Sequence, residues 1–151
     1  MVDKDYKIKY KNESLLMKIL GFITKPFCPK FMTTYTTTVG KTIYLPTKFE
    51  SFAKRYQIMI IMHEKKHIEQ YKKYFPFYGL MYLFLPFPIL FAYFRLKFEC
   101  EAYAINIDAK LITYDEVIES LSGPTYFWTW YSKEKIKKLL EHYVEELRSK
   151  R

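Results

Sequence analysis

Apolar residues recur along this chain with two different periods. Between Asn12 and Thr24, Leu15, Leu16, Ile19, Leu20 and Ile23 share one face of a short helix. Lys25-Pro26-Phe27-Cys28-Pro29 ends that helix as a loop. From Phe31 to Leu45 the residues turn to Thr, Tyr, Val and Ile, with Gly40 in the middle, which predicts a strand pair or a bent edge strand. Pro46 precedes Thr47 and Glu50, a capping-box spacing, so a long helix is expected from about Lys48 to Lys73. Ile58 to Met62 is apolar on every face, and the helix is therefore expected to run through the centre of the molecule. A second long helix is expected from about Tyr93 to Leu111. Thr113 with Glu116 repeats the capping-box spacing and opens a short helix that stops at Gly123-Pro124. The aromatic run Tyr126 to Tyr131 is expected to lie over the core as a lid. Lys133 to Arg148 closes the chain as an amphipathic helix with Ile136, Leu139, Leu140, Tyr143 and Leu147 on its buried face. The pattern predicts one α+β domain over residues 1–151, mostly α, with a small β element.

One stretch invites a different reading. Tyr74 to Phe94 carries no charge and is long enough for a membrane span. Pro76, Pro86 and Pro88 interrupt it, and each side of Pro86-Phe87-Pro88 is too short to cross a bilayer. It is expected to be a buried helical segment, a proline turn and a return. Its Tyr and Phe content and basic flanks leave peripheral membrane contact open.

Composition narrows the classes. Half of the residues are apolar and 20% aromatic, which excludes a disordered chain. Lys and Arg number 25 against 16 Asp and Glu, a net charge of +9, which favours acidic partners. The charge is spread along the chain, so a solvated basic surface is preferred and a nucleic-acid partner ranks low. Two cysteines, Cys28 and Cys100, make neither a metal-type pair nor a disulfide framework. The charged start Met1-Val2-Asp3-Lys4-Asp5 lacks the apolar stretch of a signal peptide, and a cytoplasmic address is expected.

Chemistry enters at His63-Glu64-Lys65-Lys66-His67, an HExxH motif inside the strongest helix. Residues four apart share a helix face, so both imidazoles can reach one zinc ion. Glu64 cannot share that ligand direction but can reach a water bound to the metal and accept its proton as general base. Only three histidines are present, and two of them are here. One zinc per chain is expected. A catalytic zinc needs a third protein ligand. His142 sits beside Glu141 on the last helix, with the look of an exposed face. The better source is Phe98-Glu99-Cys100-Glu101-Ala102-Tyr103-Ala104, which begins 31 residues past His67 and sets two carboxylates among apolar and small residues. A helix-turn-helix return would bring it back antiparallel to the motif helix.

HExxH followed by Glu on a second helix resembles the gluzincin zinc peptidases, which include thermolysin, the CAAX prenyl endopeptidases and the single-domain minigluzincins. Small HExxH metallopeptidases of phages and bacteria show a similar pattern, with His63 to Gln70 followed by Phe-Glu-x-Glu-Ala-Tyr. The resemblance covers about Lys41 to Ala109. In the endopeptidase branch the ligand opens Glu-x-x-Ala-Asp. Matched to Glu99-Cys100-Glu101-Ala102-Tyr103, it implies metal ligands His63, His67 and Glu99 and a small packing residue at Ala102. It further implies a zincin-like fold with the hairpin or edge strand beside the HExxH helix, and a peptide or protein substrate laid along that strand. Tyr103 stands where the family has the Asp that orients a ligand histidine, and Glu101 competes with Glu99 as ligand. No counterpart of the family's oxyanion-steadying His or Tyr is assigned. The expected activity is zinc-dependent peptide hydrolysis. The alternatives are a zinc-binding structural or host-interaction protein that no longer catalyses, in a phage context, and a basic DNA-associated protease.

Overall fold

The computed structural model describes residues 6–26, 28–78, 91–123 and 131–150. It divides into two compact units, residues 1–68 and 69–151. The expected proline turn at Pro86-Phe87-Pro88 and the aromatic run up to Trp130 lie outside the described residues.

The first unit is built around a three-stranded sheet. Strand β1 (Lys7–Tyr10) runs parallel to β3 (Thr42–Leu45), and β2 (Thr37–Val39) runs antiparallel to β3 on its other side. The expected strand pair is the β2–β3 hairpin. Its two-residue turn, Gly40-Lys41, places Gly40 at φ 58°, the position where a type II′ turn needs glycine. Strand β1 was not foreseen, because Lys7-Ile8-Lys9-Tyr10 is too short and too charged to read as a strand alone.

Helix α1 (Leu15–Thr24) begins at Ser14, whose hydroxyl accepts the Met17 N–H at 3.4 Å. Helix α2 (Lys54–Tyr74) carries the HExxH motif. It starts later than expected, and Thr47 and Glu50 form no capping box. A single 3₁₀ turn, Phe49–Ser51, occupies that stretch without a side-chain cap. The Thr47 and Lys48 N–H groups bond the Met32 and Thr33 carbonyls, and Glu50 instead accepts the Tyr10 hydroxyl at 2.5 Å. The Gln57 amide, on the first turns of α2, takes up the carbonyls of Phe49 (3.2 Å) and Phe52 (2.9 Å). Ile43, Leu45, Phe49 and Ile68 form the unit's buried cluster, with Ile60 and Ile61 against it. The expectation that α2 is buried all round fails at Ile58, which is 53% exposed, because this part of the helix packs on one face only.

The described residues of the second unit are mostly helical. Helix α3 (Phe91–Asp108) ends in a Schellman motif: Lys110 and Leu111 donate to the Ile107 and Asn106 carbonyls, each at 2.9 Å, and Lys110 takes φ 57°. Helix α4 (Tyr114–Ser122) opens with the foreseen capping box. Thr113 N–H and Oγ1 both donate to Glu116 Oε2 at 2.8 Å, and the Glu116 N–H returns to Thr113 Oγ1. Helix α5 (Lys133–Ser149) buries Ile136, Leu140 and Val144 against Leu96, Cys100, Ala104 and Leu121. The Ala and Cys positions of α3 let α5 approach closely. Arg148 Nε donates to Asp108 Oδ1 at 3.1 Å and joins the far ends of α5 and α3.

Candidate metal centre

Helix α2 brings His63 and His67 one turn apart, as the spacing requires. Their Nε2 atoms stand 3.0 Å from each other, with the rings nearly perpendicular at 81°. Two imidazole nitrogens bound to one tetrahedral zinc at ~2.05 Å would stand about 3.3 Å apart, so the pair is close to ligating geometry. His67 is buried and His63 half-buried.

Among the described residues, the ligand atoms of His63, His67 and Glu99 lie within 4.8 Å of one another, a group that could hold a metal ion. Glu99, on α3, is 2% exposed. A carboxylate so enclosed needs a cation or strong donors nearby. Two imidazole nitrogens and one carboxylate oxygen make a donor set that suits a borderline divalent metal and leaves a fourth position for water.

Glu101, the rival ligand, is not in the group. Gln70, itself 2% exposed, donates through Nε2 to Glu101 Oε2 at 2.9 Å and to the Phe98 carbonyl at 3.0 Å. Glu101 is thus held by Gln70, and Glu99 is the glutamate that joins the histidines in the group. His142 is exposed on α5 and also lies outside the group. Tyr103 packs partly buried against the helical core of the second unit.

Two residues near Glu64 had not been foreseen. Thr38 on β2 donates its hydroxyl to Glu64 Oε2 at 2.7 Å. Its only signal in the sequence is its place in the Thr-rich strand. Lys11 is fully buried, donates to the Phe31 carbonyl at 2.8 Å, and sits 3.5 Å above the centre of the Phe31 ring. Burial pushes its ammonium down from 10.5 to about 7, against the upward pull of the Glu64 carboxylate and then of Cys28. No sequence pattern marks it. Glu64 is thus a largely enclosed carboxylate, fixed at one oxygen and within the field of a buried amine.

No protein-family model matches this chain, and no curated protein or solved structure does so either.

Proposed function

We propose that the chain is a zinc-dependent peptidase of the gluzincin kind, with His63, His67 and Glu99 as metal ligands and Glu64 as general base. The observation that carries this is the grouping of the three ligand atoms beside an HExxH glutamate. Zinc held there would supply Lewis acidity toward a water and toward the substrate carbonyl. Thr38 holds Glu64 Oε2, so Oε1 is the oxygen assigned to take the proton of the attacking water and pass it to the departing amine. The outer edge of β2, next to Thr38, is the proposed rail for an extended peptide, paired through main-chain hydrogen bonds. The zincin-like fold is part of the same proposal and is supported by the hairpin that lends Thr38 to Glu64.

A second reading, a zinc-binding module without catalysis, is favoured by Tyr103. A neutral phenol there lacks the negative charge with which that Asp orients a ligand histidine.

The two are separated by metal analysis and a broad peptide library. One zinc per chain is expected, lost in Glu99→Ala and kept in Glu101→Ala. Glu64→Gln should keep zinc and abolish cleavage. Zinc with no cleavage by the wild type favours the second reading, and no zinc after reconstitution overturns both.

A further inference from the structure

Helix α1 is turned inside out. Its inward side is small or slender: Met17 is fully buried, and Gly21 lies so close to Met32 that a Cβ added there would stand 2.7 Å from the Met32 sulfur. Its large apolar residues face away. Leu15 is 74% exposed, Phe22 81% and Ile23 60%, with Leu16 and Ile19 nearly half exposed. Spacings of three and four place all five on one stripe. A contiguous apolar stripe of this kind marks an interaction surface, whereas scattered exposed leucines do not.

The charge around the stripe indicates its partner. From Ser14 to Phe49 the chain carries Lys18, Lys25, Lys30, Lys41 and Lys48 and no Asp or Glu. Lys18 flanks the stripe and Lys25 follows directly on the helix, and both are exposed. We propose that α1 is a membrane-interface helix, which lays Phe22 and its apolar neighbours into the headgroup boundary of an anionic bilayer while the lysines meet the lipid phosphates. Apolar burial and electrostatic attraction add in such binding. The helix does not span: no described helix is long and apolar enough to cross a membrane. A second copy of the chain fits less well. A ten-residue helix is only about 15 Å long, too short for the roughly 800 Å² per partner of a stable dimer, and self-docking would bring the lysines against one another.

Flotation with vesicles of phosphatidylcholine alone, and of phosphatidylcholine with phosphatidylglycerol, tests this for the full chain. Wild type should float with the anionic vesicles, less so as salt is raised, and stay behind with the neutral ones. Phe22→Asp should lower the apparent affinity at least about tenfold, because a phenylalanine side chain loses its apolar burial. Lys18→Ala should lower it about fivefold, one basic contact. Both positions are exposed, and circular dichroism will confirm that the variants fold. Three results would overturn the proposal: no flotation of the wild type with anionic vesicles, equal flotation of Phe22→Asp, or a wild-type dimer that Phe22→Asp dissociates without any vesicle binding.

Discussion

Replacing Lys11 by Met should flatten the stability of this protein against pH. Lys11 is fully buried, and its ammonium titrates near pH 7 in the folded chain instead of 10.5. Between those values the unfolded chain holds the proton and the folded chain does not. Unfolding therefore becomes less favourable as pH rises, by ~1.4 kcal/mol per unit. Below pH 7 both states are protonated and the whole cost of burying the charge is present. The window is bounded above by groups of opposite sign. Burial pushes the Cys100 thiol and the Tyr143 hydroxyl up, so above about pH 9 the unfolded chain loses protons that the folded one keeps, and stability falls. From pH 7 to 9 the wild type should accordingly gain about 2–3 kcal/mol relative to Lys11→Met. The variant also leaves the Phe31 carbonyl without its donor, an offset of roughly 1–3 kcal/mol that does not change with pH. Urea unfolding followed by circular dichroism at pH 7, 8 and 9, with chelator present for both proteins, reads the difference. Parallel profiles for the two proteins across that range would refute the assignment of a depressed pKa to Lys11. The same titration changes the charge beside Glu64, so any activity should respond to Lys11→Met more at pH 6 than at pH 8.

Thr38→Val should leave zinc content unchanged and lower peptide turnover about tenfold, since it removes one hydrogen bond that orients the Glu64 carboxylate; unchanged kcat would remove Thr38 from the site. Gln57→Leu should destabilise the chain by about 1–3 kcal/mol by taking the amide donor from the Phe52 carbonyl and leaving the Phe49 carbonyl with the Phe52 N–H alone, measured by urea midpoint. Thr113→Ala should cost about 1 kcal/mol through loss of the α4 capping box. Lys110→Gly should raise stability by roughly 0.5–1 kcal/mol, because glycine adopts the left-handed conformation at the end of α3 without a Cβ penalty.

Features that depend on residues within one or two helical turns were legible in the sequence. The four-residue spacing of His63 and His67 needs only helix geometry to converge on one metal. Thr113 and Glu116 find each other across three residues, and Gly40 supplies a turn that few other residues could. Which of Glu99 and Glu101 joins the histidines was a tertiary matter: Gln70, 31 residues from Glu101, holds Glu101, and Glu99 falls in the group. The same holds where local rules misled. Thr47 and Glu50 had the form of a cap, but stronger partners at Met32 and Tyr10 claimed them. The apolar face of α1 was legible as a face, but its outward direction was not: Met17 and Gly21, close against Met32, take the inner side. Lys11 left no trace in the pattern, since its burial, its carbonyl partner and its nearness to Glu64 come from segments 20 and 53 residues away. Short-range hydrogen bonding and periodicity fix what a segment is. Which face it shows, and which charged group it encloses, is fixed only when distant segments compete for the same polar atoms and the same buried space.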